Sequence, residues 1–420
     1  MAIWSAYIIT RKRAESRSLS ARDEAHAAGL SEPVSLHPII DPTLCVGCKA
    51  CLNACPEGDI LGLINGKAEL VEPSNCIGHG ACKTACPRGA ISLVFGTEKR
   101  GVDLPFVGPD FATNVPGIYI AGELGGMGLI RNAVEQGRQA IESISALRKP
   151  AHPRLLDVVI VGSGPAGISA SLGAMERKLM FVTLEQDTLG GTVAHFPRGK
   201  VVMTAPAKLP IVGVMNFKEV SKERLLGFWQ KVVHDTGLKI NDQERVETGS
   251  PIEGGFAVKT TRSVHHTRTV LLAIGRRGTP RRLGVTGEDL PKVVYRLVDP
   301  AQYRGKHVLV VGGGDSALEA AASLAKEPGT TVSLSYRSDA FARAKTKNRK
   351  SVEDAELSGR LEVLLSSTVS RIFPDRVELV HRKHPMVMRN DAIIVCAGGI
   401  LPTDFLKSAG IGIETRYGTA

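Results

Sequence analysis

The sequence predicts an α/β chain with a small α+β module ahead of it, and three features carry the prediction. Two are glycine-rich turns, each between an apolar strand and a helical stretch; the third is a duplicated run of cysteines near the N-terminus. At 420 residues there is room for two or three domains. With 43% apolar residues and 45 glycines, the chain can bury several cores and turn tightly between strand and helix.

The cysteine run comes first. Seven of the eight cysteines fall between Cys45 and Cys86, and Cys396 stands alone. Such clustering points to metal ligation rather than to a disulfide framework. Two stretches offset by 31 residues, D41PTLCVGCKACLNACPEGDI and E72PSNCIGHGACKTACPRGAI, place Cys45, Cys51, Cys55 and Pro56 onto Cys76, Cys82, Cys86 and Pro87. Gly47, Ala50, Ala54 and Ile60 also have twins. The first stretch reads C-x2-C-x2-C-x3-C-P and resembles bacterial dicluster ferredoxins, in which the fourth cysteine of each run serves the other cluster. A cubane cluster takes four ligands, and three at intervals of three residues can wrap one corner of it in a tight loop. The resemblance implies one cluster on Cys45, Cys48, Cys51 and Cys86. It implies a second on Cys76, Cys82, Cys55 and whatever stands at the remaining corner. That position holds His79, where the pattern has cysteine. A ligating imidazole would remove negative charge and raise the potential of its cluster. A three-iron cluster with an empty corner and a ligand from elsewhere are the alternatives.

The first glycine turn lies in R154LLDVVIVGSGPAGISASLGAMERKLMFVTLEQD. An apolar strand from Val158 to Val161 runs into Gly162, Gly164 and Gly167, a helical stretch follows, and a second strand ends on Glu185. This is the whole dinucleotide fingerprint: one glycine for the turn, one for pyrophosphate approach, one for helix–strand packing, and an acid for the ribose. The helix N-terminus favours the phosphate charge. Glu185 favours FAD or NAD over a 2′-phosphorylated nucleotide. The fingerprint recurs at K306HVLVVGGGDSALEAAASLA, with Gly312, Gly314 and Ala317 in the three slots. Its second strand, T331VSLSY, ends without an acid, and Arg337, Arg343, Lys345, Lys347, Arg349 and Lys350 follow. A missing acid with added arginine favours NADPH over NADH. A solvated helix face is the plainer account of the basic run from Lys347 onward.

Together these stretches resemble the thioredoxin-reductase-like flavoproteins. G162SGPAG, Glu185 and L189GGT, which brings Gly191 and Thr192, look like the FAD half. L271LAIGRRGTP looks like the strand and turn that close it, and G312GGDSALEAA with Y336RSDAF looks like the NAD(P)H half. D391AIIVCAGGILPTDF is similar to that domain's end. The family's last FAD segment does not follow. Its counterpart lies upstream as T113NVPGIYIAGELGGMGLIRNAVEQGRQAIESI, with Gly122 and with Glu123 in place of the usual Asp. The helix after it would point its N-terminus at the flavin. The expected fold class is therefore α/β with a small α+β ferredoxin-like domain and two Rossmann-like dinucleotide-binding domains, the FAD domain circularly permuted. Chain ends lie at the surface and often close together, which makes permutation cheap. The expected boundaries are a tail over 1–36, the dicluster domain over 37–100, and the displaced FAD segment over 101–150. The main FAD segment follows over 151–280, the NAD(P)H domain over 281–405 and a C-terminal tail over 406–420.

One departure bears on function. No Cys-x-x-Cys follows residue 86, so the dithiol relay of thioredoxin reductases is excluded. Cys396, on an apolar stretch, reads as a small core residue. His195 is a weak candidate to protonate or hydrogen-bond the flavin. No other acid–base pair stands out, and cofactor chemistry asks for none. The resemblance implies an FAD-dependent NAD(P)H oxidoreductase that passes electrons between NAD(P)H, FAD and two iron–sulfur clusters. The partner would be a one-electron carrier (ferredoxin, flavodoxin or cytochrome-like), and the assembly a homodimer. A flavin-centred small-molecule reductase and an iron–sulfur redox sensor are the rival readings. The charge of +11 is spread over scattered Lys and Arg without a nucleic-acid motif, and only 5% of residues are aromatic, so nucleic acid is not expected as a partner. An acidic redox partner, a dinucleotide phosphate or an anionic membrane surface accounts for the charge. The opening MAIWSAYII, followed by Arg11, Lys12 and Arg13, has the wrong order for a secretion signal. It reads as a disordered tail or as a membrane-facing anchor on an otherwise cytoplasmic protein.

Overall fold

The computed structural model describes residues 2–27, 33, 36–76, 78–98, 101–126, 128–147, 154–276, 278–341 and 344–418. Arg343 lies outside them. The stretch expected as a disordered tail is corrected first: it forms helix α1 (Ala2–Ala27). Its Ala, Arg, Lys and Glu are strong helix formers, and it holds no Gly or Pro. Among the described residues no helix is long and apolar enough to cross a membrane.

The cysteine module follows as strand β1 (His37–Ile40), short helix α2 (Ala50–Ala54), strands β2 (Leu61–Ile64) and β3 (Lys67–Leu70), short helix α3 (Ala81–Ala85) and strand β4 (Ile91–Val94). β1 and β4 pair antiparallel, with Ile40 opposite Ile91. β2 and β3 form a hairpin whose Asn65 and Gly66 both have positive φ, as a type I′ turn demands. α1 seats on this hairpin. Glu15 accepts from the Asn65 amide at 2.6 Å, Arg22 pairs with Glu69 at 3.3 Å, and Ser18 lies over Gly62.

Strand β5 (Val102–Pro105) leads to β6 (Ile118–Ile120) and helix α4 (Ile130–Ala146). Next come β7 (Leu156–Val161), α5 (Pro165–Glu176), β8 (Phe181–Leu184) and α6 (Lys222–Thr236). β9 (Val246–Ile252), β10 (Gly255–Thr260) and β11 (Val264–Leu272) complete this half. One sheet runs β9-β10-β11-β7-β8, and β6 joins beside the end of β11, parallel to it, with Leu271 opposite Tyr119. The four parallel strands β6, β11, β7 and β8 are apolar on both faces, with Val158, Val159, Ile160 and Leu271 fully buried.

A second parallel sheet is built from β12 (Val293–Val294), β13 (His307–Val311), β14 (Thr331–Tyr336), β15 (Leu361–Leu365) and β16 (Ala392–Val395), in the order β12-β16-β13-β14-β15. Helices α7 (Asp315–Leu324) and α8 (Thr346–Leu357) pack against it through Ala317, Leu318, Val352 and Ala355. The stretch expected as a C-terminal tail is also corrected. α9 (Thr403–Ser408) buries Leu406 beside Ile120 and Leu272 in the core of the first sheet, and β17 (Ile413–Arg416) pairs antiparallel with β5, Arg416 opposite Val102. Leu406 and Ile411 are too apolar to stay in solvent, and burying them pulls the segment down.

Candidate redox centres

The eight predicted ligands divide between two cavities in the cysteine module. Cys45, Cys48, Cys51 and Cys86 line one; Cys55, Cys76, His79 and Cys82 line the other. Each of the crossing cysteines, Cys55 and Cys86, thus sits with the triplet of the opposite repeat. The space enclosed is about 330 and 310 Å³, open mouths included. Apolar neighbours close the walls: Ile40, Ala68 and Ile91 in the first cavity, Pro38, Ile60 and Leu93 in the second. Burial pushes the Cys51, Cys55, Cys76 and Cys82 thiols above the ordinary range. A bound metal reverses that preference by taking the thiolate. Backbone amides already point at the sulfurs, Ala68 N–H to Cys45 Sγ at 3.4 Å and Ala90 N–H to Cys86 Sγ at 3.3 Å. The residues present fit a pair of iron–sulfur clusters.

His79 is oriented like its cysteine neighbours. Its Nδ1 accepts from the Ala81 amide at 3.1 Å, and its Nε2 lies 3.9 Å from Cys55 Sγ. Burial lowers its pKa, which favours the neutral imidazole that a metal accepts.

In the first sheet β7 delivers the chain to the Gly162 turn, where φ is +106° and a Cβ would lie 2.5 Å from the Ala273 oxygen. A Cβ at Gly167 would overlap the Gly162 oxygen, while Gly164 faces open space toward Gly191. Glu185, just past β8, is buried, and its carboxylate accepts from Ser163 N and Oγ at 2.8 and 3.0 Å and from Asp187 N at 3.0 Å. Those three donors leave a carboxylate about one further acceptor position for a ribose hydroxyl. β6 brings Gly122 to the same place. Its amide donates to Gln136 Oε1 at 2.8 Å, and a Cβ on it would stand 3.0 Å from Ala166 in the first turn of α5. The next residue, Glu123, lies in the field of Arg276, which donates to the Asp103 carbonyl at 2.9 Å. Gly122, Glu123, Gly162, Gly164, Gly191 and Thr192 therefore surround one turn, though they come from three separate stretches of chain. His195 bonds to Asp187 at 3.2 Å and to the Arg296 guanidinium, an arrangement that ties this half to the connection between β12 and β13 of the second sheet.

The second turn repeats the first with one substitution that sequence reasoning passed over. Gly162 N–H donates to the Leu184 oxygen and Gly312 N–H to the Ser335 oxygen, so Tyr336 stands where Glu185 does. The Tyr336 ring lies over Gly313 and stacks on Phe341, centroids 5.6 Å apart. A strand-final aromatic beside a glycine turn was the available signal. Arg337 is exposed at the strand end. Lys345 N–H and Asn348 Nδ2 donate to Asp315 at 2.8 and 2.7 Å, and Thr346 exchanges hydrogen bonds with Asn75 of the cysteine module at 3.1 and 3.2 Å. Cys396 follows β16, half-buried against the Gly312 turn.

Two nucleotide-type turns joined to a pair of cysteine-lined cavities define a multicentre oxidoreductase. The chain belongs to the pyridine nucleotide-disulphide oxidoreductase family, whose model matches residues 159–419, and residues 37–87 match the 4Fe-4S dicluster domain. A ferredoxin–NADP reductase of Ignicoccus hospitalis is 32% identical over 268 residues, covering 62% of this chain and 83% of that one. The bacilliredoxin reductase Bdr of Bacillus subtilis is 25% identical over 268 residues, 62% and 82% of the two chains. Among solved structures, the bacillithiol disulfide reductase Bdr of Staphylococcus aureus superposes with a TM-score of 0.55 at 25% identity, over 61% of this chain and 80% of that one.

Proposed function

We propose that this chain is an FAD-dependent NAD(P)H oxidoreductase that exchanges electrons with a one-electron carrier protein through two iron–sulfur clusters. The observation that carries the reading is the division of eight candidate ligands into two complete rings, on a chain whose nucleotide half has no dithiol pair. Bound flavin would supply the exchange between a two-electron hydride and single electrons. The chain's own residues bind and orient. The Gly162 turn and the α5 N-terminus would take the pyrophosphate, Glu185 the ribose, and Gly122, Glu123, Gly191 and Thr192 the remainder of the FAD. Gly312 and Gly314 would take the nicotinamide nucleotide. Tyr336 in place of an acid, with Arg337 next to it, supports a 2′-phosphate and hence NADPH. Resemblance to ferredoxin–NADP reductases supports a small electron carrier as partner.

The reading includes a circularly permuted FAD domain, with residues 101–150 serving as the segment that would otherwise follow 406–420. The pairing of β17 with β5 supports it, because those two strands have the register of one hairpin whose turn would lie between Arg416 and Val102. Anaerobic titration with NADPH and with NADH, followed by optical and EPR spectra, tests the whole. Bleaching of the flavin and reduction of a cluster are expected, with NADPH the more effective. If neither nucleotide does either, the reading fails.

A further inference from the structure

The two cavities differ in the exposure of their walls. At the first, Cys48 is exposed, and it is flanked by Leu44 and Val46 at 42% and 62% exposure. Lys49 and Arg88 line the same cavity, and both are exposed. Asp41, at the start of the same loop, is committed to the Thr43 amide and hydroxyl at 2.8 and 2.6 Å. Lys49 also holds φ +66°, a left-handed conformation that its twin in the repeat, Gly80, adopts freely at +78°. A basic side chain is thus kept where glycine would sit without strain, and strain of this kind gathers at functional positions. None of the residues lining the second cavity is exposed. Leu93 lines it, and two residues on the Phe95 ring packs against Gly126, next to the Glu123 segment. Asn75, the residue before Cys76, is the one bonded to Thr346 of the second nucleotide fold.

We propose that the Leu44–Lys49 loop and Arg88 form the docking surface for an acidic one-electron carrier protein, with the Cys45 cavity as the outer redox station and the Cys55–His79 cavity as the inner one. The proposal rests on the functional reading above. An apolar centre with a basic rim matches a carrier whose own redox centre is ringed by carboxylates, and opposite potentials speed the encounter. Each encounter moves one electron: the carrier loses or gains it and the outer station does the reverse. No bond forms or breaks. Two encounters balance the two electrons of one hydride.

The test uses the full-length holoprotein with two one-electron acceptors, an acidic ferredoxin and the basic cytochrome c. For wild type, the ferredoxin should have the lower KM at low salt, and that KM should rise with ionic strength. The double variant Lys49→Glu/Arg88→Glu should raise it by about tenfold or more at low salt, with the difference closing at high salt. Lys49→Gly copies the twin and relaxes the backbone. It should raise Tm yet weaken ferredoxin binding several-fold in a direct titration. The EPR spectrum of the Cys55–His79 cluster and the rate of flavin bleaching by NADPH should not move in either variant. An unchanged ferredoxin KM in both variants, or a wild-type KM lower for cytochrome c than for ferredoxin, overturns the docking surface while leaving the functional reading intact. Wild type that NADPH cannot reduce overturns that reading, and the surface with it.

Discussion

At His79 the two halves of the duplicated motif part chemically, since the ring stands where the first repeat has Cys48. Its Nε2 lies 3.9 Å from Cys55 Sγ and its Nδ1 is held by the Ala81 amide, so Nε2 stays on the side of the Cys55 cavity. His79→Cys should add negative charge and lower the potential of that cluster by on the order of a hundred millivolts. An EPR-monitored redox titration reads this directly, and an unshifted potential with unaltered spectra would remove His79 from the ligand set. The grouping of these eight residues around two cavities was legible because each run of spaced cysteines falls within a dozen residues. Glu244 was not. It is buried, and its carboxylate accepts from Thr260 at 2.6 Å, Ser263 at 2.8 Å, His265 at 3.1 Å and Asn241 at 3.0 Å, residues with no common motif. Burial opposes its charge, but the hydrogen bonds outweigh burial and hold the pKa at about 2 against an ordinary 4.5. A depressed carboxylate stabilises the fold fully above its unfolded value and loses that contribution as pH falls from 4.5 toward 2. Glu244→Gln should therefore cost about 2 kcal/mol at neutral pH. The gap in thermal midpoint between variant and wild type should narrow as the buffer is taken below 4.5; a gap that is flat with pH would refute the assignment.

Helices α4 and α5 come from stretches that the sequence separates by the 148–153 connection, yet they pack more closely than ordinary side chains permit. Gly137 makes that possible: a Cβ there would overlap the Ala166 carbonyl oxygen, which is backbone and cannot swing aside. Ala140, Ala166, Ala170 and Ala174 line the same contact and are buried. Gly137→Ala should lever α4 away from the first turn of α5, where the Gly162 turn and Gly122 meet. FAD affinity should fall about tenfold, which corresponds to about 1.4 kcal/mol. Flavin binding to the apoprotein, followed by fluorescence, gives the value, and wild-type affinity would show that α5 does not transmit the strain. Element boundaries around both glycine turns were readable from strand, turn and helix signals. α1 was misread because its charged, Ala-rich composition suits a solvated tether and a helix equally, and only the β2–β3 hairpin beneath it, with Asn65 N–H and Glu69 as partners, decides between them.

At the scale of the whole molecule, β17 and β5 bring the C-terminal segment against the exit from the cysteine module, with Thr415 Oγ1 bonded to Asp103 Oδ1 at 2.6 Å and Asn114 bracketing Gly410 and Gly412 at 2.9 and 2.7 Å. A variant beginning at residue 154, with a short turn joining Arg416 to Val102 and ending after α4, should fold and bind FAD with the wild-type visible spectrum. Failure to take up flavin would count against the permuted arrangement. By itself the sequence determined which cysteines group together, where the two glycine turns and Glu185 fall, and that no dithiol follows residue 86. Those signals are local, because a cluster loop or a glycine turn is shaped by neighbours a few residues apart. Only the tertiary structure decided that one cavity is rimmed by exposed Val46, Cys48 and Lys49, that none of the residues lining the other is exposed, and that Asn75 meets Thr346 across 271 positions of chain. Contacts of that range leave no period or spacing in the sequence, since they depend on how separately folded units bury their remaining apolar surface against one another.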